Sequence, residues 1–248
     1  MVLISSSCRN VKVIVVIGGL VGAGKTSLAK ELNRYYSRLN RRVCVLRLVA
    51  YPNVSYLLFD LLAKIFYGCK VVRYYRRAGV HPSTLVAKRI QKFSLLFAKI
   101  IFFVELSSLF LWDLYRRLRC FGSLMIIIDE GFVNAVANYL EILGKDATTV
   151  VSYVFKLAQK MNQKHRTVFL FVVADFDTLI KRWAMRRCPI ATSFIGLNHH
   201  IRYLKLMLFS LKLFLNSGFK IAVVDSSNKD VPILAYEAIK YVEDNVYR

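Results

Sequence analysis

The chain has 248 residues and a formal net charge of +22, because 37 lysines and arginines oppose only 15 aspartates and glutamates. Its apolar content of 56% excludes an intrinsically disordered chain, and its 11 glycines and 4 prolines exclude collagen-like and low-complexity chains. The length suits one larger domain, and the charge indicates an anionic partner: nucleotide phosphates, nucleic acid or an anionic membrane surface.

Apolar runs and helix-like segments alternate along the sequence. The apolar runs predict strands at 12–17, 42–49, 124–128, 167–174 and 220–224. The remaining periodic segments predict helices at 25–39, 132–143, 147–161, 176–187, 198–216 and 231–244. Continuous apolar strands separated by helices are typical of a parallel sheet that is covered on both faces. We therefore predict a three-layer α/β fold with a five-stranded parallel sheet, formed by a single domain over 1–248.

The segment from about 50 to 120 contains no predicted strand, so it is expected to be a helical insertion between the second and third strands. Between 64 and 119 it holds 12 basic and 2 acidic residues, interleaved with aromatic side chains that we assign mainly to the core. Its most apolar window, Phe93–Trp112, is interrupted by Lys99 and Glu105 and lacks the ~18 uncharged residues of a membrane-spanning helix. Docking of this insertion on an anionic membrane surface or on nucleic acid stays open.

The first predicted strand leads into Gly19–Thr26, which matches the phosphate-binding pattern G-x-x-x-x-G-K-[ST]. Its glycines allow backbone N–H groups to turn inward around a polyphosphate, and the next helix adds the positive end of its dipole. In this pattern Lys25 is expected to contact the β- and γ-phosphates of ATP, and Thr26 to ligate Mg²⁺. The predicted nucleotide-binding residues here are Gly19, Gly22, Ala23, Gly24, Lys25, Thr26 and Ser27.

Two acidic residues follow the third predicted strand. Asp129 would lie at a strand tip beside the phosphate loop, where a carboxylate can hold Mg²⁺ through water, so Thr26 and Asp129 are the predicted metal-binding residues. Glu130 has three open interpretations: a base for a hydroxyl or water, a substrate contact, or a cap of the helix from 132.

Three arginines follow the fourth predicted strand: Arg182, Arg186 and Arg187. A spacing of four residues places Arg182 and Arg186 on one helical face, where two guanidiniums can clamp a transferring phosphoryl group. A solvated basic face explains the same spacing equally well on so basic a chain.

The cysteines predict a reduced intracellular protein. They are five in number, widely spaced and without a C-x-x-C pair, which argues against a disulfide framework and against a zinc site. The apolar run near the start leads straight into the glycine loop without a cleavage site, so a cytoplasmic location is expected. The four histidines show no ligand-like spacing and are assigned to the surface or to loops.

With these motifs in place, the sequence resembles the thymidylate kinase family of P-loop kinases. IGGLVGAGKTSLAKEL resembles the family's phosphate loop and first helix, and IIIDEGFVNAVANYL resembles the strand and helix around its Asp-Arg motif. LFVVADFDTLIKRWAMRR resembles its strand, acidic turn and the R-x-x-x-R of the lid. FKIAVVDSSNKDVPILAYEAIKYV resembles the last strand, the turn near the adenine and the closing helix.

This resemblance implies a donor, an acceptor and a set of residue roles. The donor would be Mg²⁺–ATP and the acceptor a nucleoside monophosphate, with dTMP as the first expectation. Lys25, Thr26 and Asp129 would lie in the donor site, and Arg182 and Arg186 on a lid at about 176–195. The adenine would lie near Ser226 and Ser227.

The sequence departs from the family's pattern where the acceptor binds. Gly18 and Val21 stand where the family has an acid, and Glu130 replaces the arginine that follows the strand-tip aspartate. Only Tyr51-Pro52 echoes the family's Glu-Pro-Gly segment. Three alternatives therefore stay open: a kinase with a hydroxyl acceptor, namely a nucleoside, a sugar or a polynucleotide end; a P-loop ATPase; and an ATP-using protein docked on a membrane surface. A homodimer is also possible.

Overall fold

The computed structural model describes residues 12–48, 53–77, 86, 95–185 and 194–246. Its strands are β1 (Val13–Gly19), β2 (Val43–Arg47), β3 (Met125–Asp129), β4 (Arg166–Val173) and β5 (Ile221–Asp225). All of them pair in parallel, in the order β2-β3-β1-β4-β5. The predicted five-stranded parallel sheet is confirmed, and each strand end lies within two residues of its predicted position.

Helices cover both faces of this sheet. Within the described ranges they are α1 (Lys25–Arg38), α2 (Asn53–Tyr67), α3 (Cys69–Arg77), α4 (Leu95–Arg119), α5 (Phe132–Leu143), α6 (Thr148–Lys164), α7 (Phe176–Met185), α8 (Phe194–Asn216) and α9 (Val231–Val246). A 3₁₀ turn, Gly144–Ala147, joins α5 to α6. Helices α1 and α9 pack together on one face, while α5 contacts α6 and α8 on the other. The fold is therefore the predicted three-layer α/β P-loop architecture.

The central strands are apolar at almost every position because helices cover both of their faces. All residues of β1 and β3 are buried, including Asp129 at the tip of β3. The register sets Ile17 opposite Asp129 and Gly19 opposite Val172. The carboxyl ends of β1, β3 and β4 consequently meet at one edge of the sheet, which is where parallel α/β sheets bind ligands.

Between β2 and β3 most of the described residues are helical, in α2, α3 and α4, in agreement with the predicted insertion. Helix α4 is anchored in its C-terminal half, because the buried Trp112 indole N–H donates to the carbonyl of Arg47 at 3.1 Å. No helix among the described residues is long and apolar enough to cross a bilayer. The Tyr51-Pro52 segment lies outside the described residues.

Cys44 of β2 and Cys120 after α4 form a disulfide, with their Cα atoms 5.6 Å apart. The prediction that the cysteines argue against disulfides is wrong for this pair. The two residues are 76 positions apart in the chain, and pairing of β2 with β3 is what brings them together. Because sequence spacing carries no information on that pairing, the disulfide could not be deduced from the cysteine pattern.

Candidate functional site

The loop between β1 and α1 depends on two glycines that no other residue could replace without strain. A Cβ on Gly19, whose φ is +141°, would lie 2.2 Å from the carbonyl oxygen of Val172. Leu20 N–H donates to that same oxygen at 3.0 Å, so the loop is fixed to β4. A Cβ on Gly22, whose φ is +86°, would lie 2.5 Å from the Trp183 indole nitrogen. The glycines therefore set the path of the loop as well as its flexibility.

Asn134 holds the Gly19 peptide from the other side. Its Oδ1 accepts from Gly19 N–H at 3.1 Å, and its Nδ2 donates to the Gly19 carbonyl at 3.0 Å. Asn134 lies in the first turn of α5 and is only 4% exposed. Sequence reasoning missed this residue; the available signal was a polar side chain in the otherwise apolar run 132–137.

Lys25 lies inside the loop. Its ammonium donates to the carbonyls of Gly19 at 3.0 Å and Leu20 at 2.8 Å, and the residue is only 6% exposed. Gly24, in the left-handed region with φ +95°, precedes the helix as its N-cap residue. The ammonium group and the first turn of α1 therefore concentrate positive charge at the loop.

Thr26 and Asp129 are brought together across the β1–β3 edge. The Thr26 hydroxyl donates to Asp129 Oδ2 at 2.8 Å. Asp129 is 6% exposed, and its second oxygen, Oδ1, is buried without a hydrogen-bond partner. A buried carboxylate oxygen without a donor is costly, and a bound cation would satisfy it.

These two oxygen donors fit a magnesium ion. Mg²⁺ prefers hard oxygen ligands and is commonly held by one or two protein groups, with phosphates and water completing the octahedron. Among the described residues no group of three or more histidine, cysteine or carboxylate side chains could hold a metal alone. For a magnesium ion at Thr26 and Asp129, water and the phosphates of a bound nucleotide would supply the remaining ligands.

Glu130 forms a two-pronged ion pair with Arg47. The two hydrogen bonds are 3.0 Å (Arg47 Nε to Oε2) and 2.6 Å (Nη2 to Oε1). Arg47 is the last residue of β2, and Glu130 directly follows β3 with a φ of +57°. The pKa of Arg47 is raised, chiefly by its hydrogen bond to Glu130. The N-cap residue of α5 is Gly131, and both Glu130 carboxylate oxygens bond to Arg47. Glu130 therefore does not cap this helix.

Arg182 joins the phosphate loop to the end of β5. Its guanidinium donates to the Ser226 hydroxyl at 3.0 Å, to the Ser226 carbonyl at 2.8 Å and, more weakly, to the Gly22 carbonyl at 3.4 Å. Ser226 is 1% exposed, and its hydroxyl donates to the carbonyl of Val173 at 2.9 Å. The neighbouring Trp183 indole donates to Val21 at 3.1 Å. Arg182 and Ser226 thus meet at the β4–β5 side of the loop; Arg186 and Arg187 lie outside the described residues.

Two histidines, His199 and His200, are predicted at the surface or in loops, but the structure places them within a helix. Both His199 and His200 lie within α8, and His200 is 6% exposed with its ring 5.1 Å from that of Trp183. Burial lowers the pKa of His200 to about 4, so this imidazole is neutral at physiological pH. His199 Nδ1 lies 3.1 Å from Glu141 Oε1.

Comparison with known proteins identifies the fold. No family model matches the sequence, and none of the curated proteins matches it. Among solved structures, thymidylate kinase from Candida albicans is 15% identical with a TM-score of 0.52, over 95% of this chain and 92% of that protein. Deoxyadenosine kinase from M. mycoides with bound dCTP is 14% identical with a TM-score of 0.48, over 93% of this chain and 99% of that protein. These likenesses concern the fold alone.

Proposed function

We propose that the protein transfers the γ-phosphoryl group of Mg²⁺–ATP to a nucleoside monophosphate, with dTMP as the first acceptor to test. The observation that carries this proposal is the hydrogen bond between Thr26 and Asp129, beside the buried ammonium of Lys25. Together these groups would supply a cation and two oxygen ligands for magnesium beside the glycine loop, as phosphoryl transfer from a metal–nucleotide requires. Thymidylate kinase is also the activity of the Candida albicans protein that shares the fold.

In the donor half of the site, catalysis would consist of positioning and neutralisation of charge. The backbone of Gly22, Ala23 and Gly24 and the start of α1 at Lys25, Thr26 and Ser27 would surround the phosphates. Bound Mg²⁺ would offset the charge that develops on the phosphate oxygens. Lys25 would transfer its hydrogen bonds from the loop carbonyls to the β- and γ-phosphates. Arg182 would hold the outer side of the loop against Ser226, so that the loop keeps its shape.

In the acceptor half, the Arg47–Glu130 pair supports a phosphate over a hydroxyl. A bare Glu130 carboxylate would repel an anionic acceptor, but Arg47 neutralises it through two hydrogen bonds. The Arg47 side chain is also 57% exposed, which leaves its guanidinium accessible to an acceptor phosphate. Both Glu130 carboxylate oxygens already accept hydrogen bonds from Arg47, so neither is directed at a hydroxyl acceptor. A phosphate acceptor is itself ionised at neutral pH and requires no strong base.

Transfer from γ-labelled ATP to three classes of acceptor tests this proposal: nucleoside monophosphates, nucleosides and polynucleotide ends. We expect labelled diphosphate from a monophosphate and no labelled product from thymidine. Asp129→Asn and Lys25→Ala should both abolish transfer. Label that appears only on a hydroxyl acceptor would contradict the proposal and indicate a kinase for hydroxyl groups. Label that appears only as inorganic phosphate would indicate an ATPase.

A further inference from the structure

A basic cavity lies at the opposite edge of the sheet from the phosphate loop. It has a volume of about 350 Å³ and is bordered by residues that precede β1, β3 and β4. Its cationic side chains are Lys12, Arg116, Arg117, Lys160 and Lys164. The amino ends of the strands form this edge, so the cavity is separate from the proposed nucleotide site.

The charge of this cavity is strongly positive. Asp113 is the one acidic side chain in its lining, and it is already shared: Arg116 and Arg117 each donate two hydrogen bonds to its carboxylate. Five cations against one carboxylate leave a formal charge of +4 in the lining. The pKa of His165, also in the lining, is lowered first by burial and then by Arg116, Lys12 and Lys164.

An exposed apolar strip adjoins the same cavity. Leu114, Leu118 and Phe121 follow one another at spacings of four and three residues, so they continue along one face of α4 and its end. Their exposed fractions are 45%, 70% and 88%. Phe121 also lines the cavity, which makes the basic and apolar regions continuous. Large apolar side chains are seldom left this exposed next to one another without a partner.

We propose that this edge, namely the basic cavity together with the Leu114–Leu118–Phe121 strip, docks on an anionic phospholipid membrane. The exposed Arg117, Lys160 and Lys164 would bind lipid phosphates. The leucines and the phenylalanine would enter the boundary between headgroups and acyl chains. Nucleic acid offers phosphates for the same cations but no apolar medium for exposed leucines, which is why a bilayer fits better. The inference goes beyond the proposed kinase activity, and docking there would leave the nucleotide site facing away from the membrane.

Sedimentation of the full chain with vesicles tests the docking surface. The vesicles contain phosphatidylcholine with phosphatidylglycerol or phosphatidylcholine alone, and a single-stranded oligonucleotide is titrated in parallel. We expect binding to the anionic vesicles, weakened by salt, and little binding to the neutral ones. Lys160→Gln/Lys164→Gln should weaken vesicle binding about thirtyfold, since each basic residue near an anionic surface contributes about fivefold. Phe121→Ser should weaken it about tenfold.

The matched control is Lys30→Gln/Lys240→Gln, which removes two exposed lysines from α1 and α9 on the other face of the sheet. Its vesicle binding should equal that of the wild-type chain. Three results would overturn the proposal: no binding to anionic vesicles at low salt, equal losses in the Lys160/Lys164 and control variants, or binding to the oligonucleotide without binding to vesicles. None of these results depends on whether the chain is a kinase.

Discussion

Replacement of Arg47 by alanine distinguishes a kinase that uses a phosphate acceptor from one that uses a hydroxyl acceptor. Arg47 pairs with Glu130 through two hydrogen bonds, and the two side chains are 57% and 28% exposed. A surface pair of this exposure contributes only about 0.5–1 kcal/mol to the free energy of unfolding. Arg47→Ala should therefore leave the fold intact, so that any change in activity reports on the site.

The expected size of the effect follows from the exposure of Arg47. A guanidinium at about 4 Å from a phosphate contributes about 1 kcal/mol in bulk water and about 4 kcal/mol at an effective dielectric constant of 20. Because more than half of the Arg47 side chain faces solvent, the lower part of this range applies. We expect a loss of about 1–2 kcal/mol, which corresponds to a rise of about five- to thirtyfold in KM for dTMP with little change in kcat.

Steady-state kinetics with dTMP should be measured for the wild-type chain and three variants: Arg47→Ala, Glu130→Gln and Arg34→Ala. The quantities compared are KM for dTMP and kcat. Glu130→Gln removes a negative charge and should lower KM for dTMP, while transfer changes by less than about tenfold. Arg34→Ala is the matched control, because the Arg34–Glu31 pair has side-chain exposures of 59% and 28% and lies on α1. An unchanged KM in Arg47→Ala, or about a hundredfold loss of kcat in Glu130→Gln, would refute a phosphate acceptor.

Two further predictions concern buried polar side chains, Asn134 and His200. Asn134→Ala leaves the buried Gly19 N–H without its acceptor and should lower the free energy of unfolding by about 2–3 kcal/mol in urea titrations. Asn138→Ala, one turn further along α5 at a partly exposed position, should cost far less; equal losses would contradict the role of Asn134. His200 has a pKa of about 4 in the folded chain and about 6.5 when unfolded, so the unfolded chain binds the extra proton between these values. Stability should therefore fall by up to about 3 kcal/mol as the pH drops from 6.5 to 4, and an unchanged pH slope in His200→Asn would count against this.

The sequence predicts the sheet well because each strand is specified by residues within its own segment. The continuous apolar runs of β1 and β3 indicate strands that are buried on both faces, and the glycine pattern marks the end of β1 without knowledge of the remaining fold. Thr26 and Asp129 could also be selected, since the carboxyl ends of parallel strands share one edge of the sheet. Their roles in binding metal remain predictions.

The remaining features depend on which strands become neighbours. Arg47 and Glu130 are 83 residues apart, and they meet only because β2 pairs with β3. The same pairing produces the disulfide of Cys44 with Cys120. His200 lies on a helix whose predicted start, 198, is four residues later than the observed Phe194, and packing against Trp183 decides its burial. Tertiary packing of this kind leaves no trace in spacing or periodicity.

Calorimetric titration of ATP measures whether Lys25, Thr26 and Asp129 bind a magnesium–nucleotide, as we propose. With Mg²⁺ present, the wild-type chain should bind ATP clearly more tightly than with a chelator. Asp129→Asn should bind ATP equally with and without the metal, because the magnesium ligand is lost. Lys25→Ala should weaken binding under both conditions. Equal affinity with and without Mg²⁺ in the wild-type chain, or unchanged affinity in Lys25→Ala, would contradict the account.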